Sequence, residues 1–196
     1  MPLIMGILAQ AAAAPGPTPG AGSYDLLETE ILTGTQASVT FSSLNSTYGA
    51  DYQHLQLRIT ARDTSAGTGG SKATLRFNGD TGSNYRERHY LYGDGSSVYS
   101  GDLGNDTYII PYDNAATGDT ADVYGAAVID ILDPFSSNKY TTTRSLRGFA
   151  ASSGSFIGLN SGLWLNTAAI TSITLGSRTS SLISGSRFSL YGLRSA

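Results

Sequence analysis

The sequence contains no cysteine, so disulfides, thiol nucleophiles and cysteine-ligated zinc are all excluded. Charge is also scarce: Asp, Glu, Lys and Arg make up 14% of the 196 residues, against ~25% in ordinary globular proteins. The net charge of −3 offers no Lys/Arg excess to neutralise phosphates, which argues against nucleic acid as a partner. No apolar run approaches the ~20 residues that span a bilayer as a helix, so no membrane partner is expected. No Lys or Arg precedes Arg58, and the opening MPLIMGILAQ therefore lacks the basic flank of a secretion signal. No amphipathic pattern of helical period runs through ten or more residues.

Recognisable catalytic constellations are missing too. There is no Gly-x-Ser-x-Gly elbow, no Gly-x-x-x-x-Gly-Lys-Ser/Thr loop and no His-Glu-x-x-His pair. The two histidines, His54 and His89, are not joined by spacing to each other or to paired carboxylates, and a structural or solvated role is expected for each. Most acidic residues sit in turn contexts, as Asp80, Asp94, Asp102, Asp106, Asp113 and Asp119 do, where Asp forms turns more often than it catalyses. In Asn78–Asn84, oxygen side chains at alternate positions resemble a site for a hard cation. However, Gly82 stands where a third ligand belongs and no Glu closes the loop, so a glycine-rich hairpin is the expected reading. Neither a cofactor nor a metal site is expected, and the chain reads as a non-enzyme.

What is present is glycine, serine, threonine and tyrosine, with Tyr outnumbering Phe twelve to six. Three zones follow one another. Residues 1–10 form a small apolar tag in which Leu3, Ile4, Met5, Ile7 and Leu8 are the candidate anchors to a partner subunit. Residues 11–23 form a linker whose Pro15, Pro17 and Pro19 forbid a continuous helix. The tag and linker, 1–23, make an arm, and the globular domain occupies 24–196.

Period-two alternation marks strands in the domain. Leu55, Leu57, Ile59 and Ala61 share one face of 54–62, with Gln56, Arg58, Thr60 and Arg62 on the other. The same pattern places Val39 and Phe41, Leu75 and Phe77, Ile173 and Leu175, and Phe188 and Leu190 inward. The stretch 123–132 is more continuously apolar and predicts a central strand, ended by Asp133-Pro134, and 140–146 is Thr-rich and β-prone. Glycine-rich turns recur at 65–70, 78–82, 93–95 and 152–154, and the polar stretch from Gly93 to Asp122 reads as an extended surface loop. About eight to ten short strands with such turns predict an all-β fold, a jelly-roll-like antiparallel β-sandwich with an extended N-terminal arm.

Between Asn84 and Tyr112 lies a concentration of tyrosines: Tyr85, Tyr90, Tyr92, Tyr99, Tyr108 and Tyr112. Tyrosine joins large contact area to a polar tip. Packing between subunits, ordinary core and rim packing, and stacking against host glycan are three readings of this cluster that the sequence leaves open.

Residues 52–58 (YQHLQLR) and 75–85 (LRFNGDTGSNY), with Ser161–Trp164, Ala169–Leu175 and Ser186–Leu193, resemble a class of tailed-bacteriophage virion proteins common in phages of aquatic bacteria, cyanobacteria included. The resemblance covers roughly 36–194. It transfers no catalytic residue. It implies many copies per particle, a homotrimer or higher symmetric oligomer, location on the virion surface, and other virion proteins as partners. Two roles follow as expectations. One is a capsid decoration (cement) protein, whose arm grips the shell of major capsid protein; the missing shaft repeats favour it. The other is a tail-fibre or baseplate adhesin, favoured by the tyrosines. A carbohydrate-active enzyme or lectin outside any virus is the third alternative, weakened by the scattered carboxylates.

Overall fold

The computed structural model of the chain describes residues 24–102, 104–151 and 154–194, without the side chains of 87–89. The arm, 1–23, with its anchor candidates Leu3, Ile4, Met5, Ile7 and Leu8, lies outside the described residues.

The all-β class expected from the alternation is what the chain adopts. In chain order the elements are β1 (Tyr24–Ile31), β2 (Ser38–Phe41), the short α1 (Leu44–Tyr48), β3 (His54–Asp63), β4 (Gly70–Phe77), β5 (Tyr85–Gly93), β6 (Val98–Gly101), β7 (Gly104–Asp106), β8 (Asp113–Ala116), β9 (Gly125–Leu132), β10 (Thr141–Ala151), β11 (Gly154–Trp164), β12 (Ile173–Ser177) and β13 (Arg187–Leu193). A large layer runs β1-β13-β3-β9-β10-β11-β5-β6, with β7 also against β5. A small layer runs β2-β12-β4, and β8 joins the two by pairing with both β4 and β3. Every pairing is antiparallel except β3 with β8, which is parallel and departs from the purely antiparallel expectation.

One hydrophobic cluster fills the space between the layers. Leu55, Leu57, Ile59, Ile129 and Ile131 enter it from the large layer, and Val39, Phe41, Leu75, Phe77 and Leu175 from the small one. The residues that alternation placed inward on β2, β3, β4, β12 and β13 are all in this cluster. Trp164, the chain's single tryptophan, lies in the cluster against Phe77, their ring centroids 5.5 Å apart.

The surface loop expected over 93–122 needs correction. It contains β6, β7 and β8, and residues 108–116 are all buried. Ile109 pairs through its backbone with Leu75, donating at 3.0 Å and accepting at 2.9 Å. The segment is drawn inward because the inner sides of β10 and β11 are built of small and polar groups. A Cβ on Gly162 would stand 2.7 Å from Ile109 Cγ2, so glycine there makes room for the isoleucine. Arg147 of β10 pairs with Asp113, both nearly fully buried. Arg62 then ties down the following turn by donating to the carbonyls of Thr117, Asp119, Thr120 and Val123. These are polar interactions, invisible to a search for apolar periodicity.

β9 is the central strand expected over 123–132, between β3 and β10 in strand order, and its two faces differ: Ala127, Ile129 and Ile131 are buried while Ala126 and Val128 are exposed. Its apolar run Ala126–Ile129 therefore marks an apolar outer face as well as a buried inner one.

Close approach of β8 to β9 gives a test of this packing. A Cβ at Gly125 would lie 2.1 Å from the Asp113 carbonyl oxygen, a backbone atom that cannot swing aside. Gly125→Ala is expected to cost about 3 kcal/mol, the upper range for overpacking. Urea unfolding followed through Trp164 emission measures it, and a loss below ~1 kcal/mol would show that β8 moves freely over β9.

Candidate interaction surface

The six tyrosines separate into two sets. Tyr85 and Tyr112 are fully buried and Tyr108 nearly so, and none of the three offers a ring to a partner; for them the interface or glycan reading is corrected. Tyr85 reaches the core because its hydroxyl is satisfied there, accepting from the Phe77 amide at 3.0 Å and donating to the Asp80 carbonyl at 3.1 Å. Burial pushes the Tyr85 hydroxyl up to about 12, and burial also raises that of Tyr112. Tyr108 lies under two guanidinium groups, Arg76 at 5.4 Å and Arg178 at 6.0 Å from its ring centroid.

Tyr90, Tyr92 and Tyr99 form the second set. They stack along the β5–β6 edge, with centroids 4.7 Å apart for Tyr92 and Tyr99 and 6.0 Å for Tyr90 and Tyr92. Phe156 packs edge-on against Tyr92 at 6.3 Å, and Phe149 against Phe156 at 5.2 Å. Tyr99 is 42% exposed and caps the stack. The β5–β6 turn at Gly93–Ser97 is held by the Asp94 carboxylate, which accepts from the Ser96 and Ser97 amides.

The opposite, outward face of the same strands carries a feature the sequence reading missed. Strand register aligns Arg58, Val128, Leu146, Leu159 and Leu91 in one row across β3, β9, β10, β11 and β5. The four aliphatic members are 36%, 50%, 53% and 46% exposed, in that order. The next row holds Gly148, Ile157, Gly93 and Val98, with Ile157 projecting between the two glycines and Val98 beside Gly93. Two open hollows, about 960 and 1100 Å³, share Val128 and Leu146 in their linings. β10 and β11 are thus inside-out by the usual rule. Thr141, Thr143, Ser145 and Arg147 point inward on β10, and Leu146, Ile157 and Leu159 point outward.

A polar border runs beside the row. Asp130 accepts from Gln56 Nε2 and Arg144 Nε, each at 2.8 Å, and Gln56 Oε1 accepts from Arg58 Nε at 3.0 Å. The Arg58 guanidinium sits over Tyr191 at 4.7 Å and Tyr24 at 5.5 Å from the ring centroids. The face therefore has an aliphatic centre and a hydrogen-bonded rim, the layout of an interface core and its border.

His54 and the 78–84 loop serve internal structure, and the side chain of His89 lies outside the described residues. His54 Nδ1 accepts from the Asp133 amide at 3.0 Å, at the end of β3. The oxygens of the 78–84 loop are taken up internally. Asn78 Oδ1 accepts from the Thr171 and Ser172 amides, while Asp80 accepts from the Trp164 indole at 2.9 Å and from Gly82 and Asn84. Among the described residues no group of three or more His, Asp or Glu is placed to hold a metal ion.

The Trp164 indole, helped by the Asn84 and Gly82 donors, holds the Asp80 carboxyl below its usual range. A carboxyl lowered by folding stabilises the fold above its ordinary value near 3.8 and loses that contribution as pH falls through the lowered value. Asp80→Asn is thus expected to cost about 1–2 kcal/mol at neutral pH. The gap from the parent protein should close in acid, once the pH has fallen through that lowered value. Urea midpoints at neutral and acid pH measure it, and an unchanged gap would contradict the assignment.

The described residues thus form a sandwich-like all-β domain with one hydrophobic core and an aliphatic row facing solvent. Compared with family models, with curated proteins and with solved structures, the chain has no significant match.

Proposed function

We propose that this chain is a structural subunit of a tailed-bacteriophage particle, a decoration (cement) protein of the head shell, without catalytic activity. The observation that carries the reading is the row Val128, Leu146, Leu159 and Leu91, aligned and exposed across four adjacent strands. Scattered apolar residues on a surface are ordinary, but a contiguous aliphatic patch with a polar rim marks a surface that is covered in the working state. The low charge and the apolar tag on a proline-rich linker support the same reading. Within it the body is a jelly-roll-like sandwich, present in many copies as a homotrimer on the virion surface, with the major capsid protein as partner. The mechanism is mechanical: contacts made only with the assembled shell stabilise that shell by mass action.

A second reading, the tail-fibre or baseplate adhesin, is favoured by the Tyr90–Tyr92–Tyr99 stack, whose Tyr99 presents an exposed aromatic edge of the kind that meets host glycan. Immunogold labelling separates the two on purified particles of a phage whose genome carries this sequence, together with quantitative mass spectrometry. The decoration reading expects label over the head and a copy number on the scale of the major head subunit. Label confined to the tail supports the adhesin, and absence from the particle contradicts both. Substrate turnover abolished by one Asp or Glu substitution would also overturn the proposal.

A further inference from the structure

We infer that the aliphatic row on the outward face of the large layer is the seat for the N-terminal segment 3–8 of a neighbouring copy of this chain. The inference rests on the assembly reading above and names the partner of that surface.

Chemistry matches first. Residues 1–23 contain no Asp, Glu, Lys, Arg or His, and Leu3, Ile4, Met5, Ile7 and Leu8 supply aliphatic groups. The row offers the same chemistry, and no charged side chain stands within it between Val128 and Leu91. The polar network of Asp130, Gln56, Arg144 and Arg58 is confined to its border. Gly148 and Gly93 flank Ile157 in the adjacent row, and these positions without side chains leave space into which incoming aliphatic groups fit. The two hollows that meet at Val128 and Leu146 provide that space.

Direction and reach then favour a neighbour over the same copy. Tyr24 pairs with Leu193, and Leu193 with His54, so the chain enters β1 at the His54 end of the sheet and runs toward the Thr60 level. The row lies at the level of Arg58, which is four residues, or about 13 Å, along the strands from that entry. It begins at β9, three strands over, about 14 Å sideways at the usual strand spacing. Residues 11–23, with Pro15, Pro17 and Pro19, favour an extended chain of about 40 Å at ~3.1 Å per residue. β1 runs from Tyr24 toward the level of the row, so an arm seated on its own row would have to double back at Tyr24 and cross the outer faces of β13 and β3, a turn that an arm of ~40 Å need not make to reach a neighbouring copy. Such an arm suits delivery of the tag to the same face of the next copy, and repetition around a symmetric ring would cover every row with a neighbour's arm.

The absence of native cysteine makes a clean test with the full chain. Ile4→Cys protein is mixed with Leu159→Cys protein under mild oxidation, with Thr40→Cys, exposed on the small layer, as the control acceptor. A disulfide-linked heterodimer of Ile4→Cys with Leu159→Cys, absent with Thr40→Cys, is the expected result. Leu146→Asp in the acceptor should lower the yield at least ~10-fold. Trp164 emission should stay native there, since Leu146 is half-exposed. Three results overturn the inference: a link formed only within single molecules of an Ile4→Cys/Leu159→Cys double variant, which would seat the arm on its own copy; Leu159→Cys homodimers that survive removal of residues 1–10, which would seat a second face there; and no link above the control. Failure of the seat leaves the particle reading standing, because immunogold labelling and copy number decide that reading separately.

Discussion

Leu57→Asp is expected to leave the chain unfolded. Leu57 has no solvent exposure and sits on β3, the strand hydrogen-bonded to both β13 and β9 in the middle of the core. Truncating a buried leucine costs about 2–5 kcal/mol. A carboxylate placed there adds the penalty of a buried charge without a partner. Together these reach the ~5–15 kcal/mol that holds an ordinary domain folded. Trp164, buried in the same cluster, reports the outcome, and its emission should shift to that of a solvated indole. A soluble Leu57→Asp variant with native emission and a cooperative transition would show that this face of β3 is not the core.

The second large effect concerns Asp113. Its side chain is 3% exposed and pairs with Arg147, itself 4% exposed, and with Lys72 at 3.0 Å, which is half in solvent. Asp113→Ala would leave the Arg147 guanidinium buried beside an apolar methyl, a loss of about 3–5 kcal/mol. The double variant Asp113→Ala/Arg147→Leu removes both charges and should recover much of that loss, which a double-mutant cycle measures directly. Arg144 with Asp130 gives the contrast: Arg144 is mostly exposed, and Arg144→Ala should leave the urea midpoint nearly unchanged. Equal losses from Asp113→Ala and Arg144→Ala would mean that Arg147 reaches water once its partner is gone.

Where strands pack apolar side chains inward, the sequence declares them. β2, β3, β4, β12 and β13 follow the period-two pattern, and the predicted residues are in the core. β10 and β11 reverse that rule, with Thr143, Ser145, Gly158 and Asn160 inside and Leu146, Ile157 and Leu159 outside. Alternation applied to them would place the aliphatic residues in the core, so β11 was not foreseen as a strand and the row was not foreseen as a surface. β1 carries no clear alternation because none of its residues is fully buried, it pairs only with β13 and it slips register between Leu26 and Glu28. The segment after β6 is buried through Arg62, Arg147 and Asp113, whose partners are distant in sequence and leave no local pattern.

The candidate site shows the same division. Tyrosine count alone pointed to one cluster, whereas three of those tyrosines complete the core and three stack at the β5–β6 edge. The local signal for the row was the apolar run Ala126–Ile129 in β9, where Val128 lies between the inward Ala127 and Ile129. Its meaning depended on strand order, because Leu146, Leu159 and Leu91 become neighbours of Val128 only through pairing.

The central claim is that the opening residues find their place in another polypeptide while the β domain provides surface. Deleting residues 1–10 and offering the truncated protein, alongside the full chain, to particles that lack it tests this most directly. The truncated protein should still fold and melt cooperatively in isolation but fail to join the particle, whereas the full chain joins. Equal incorporation of the two proteins would contradict the account.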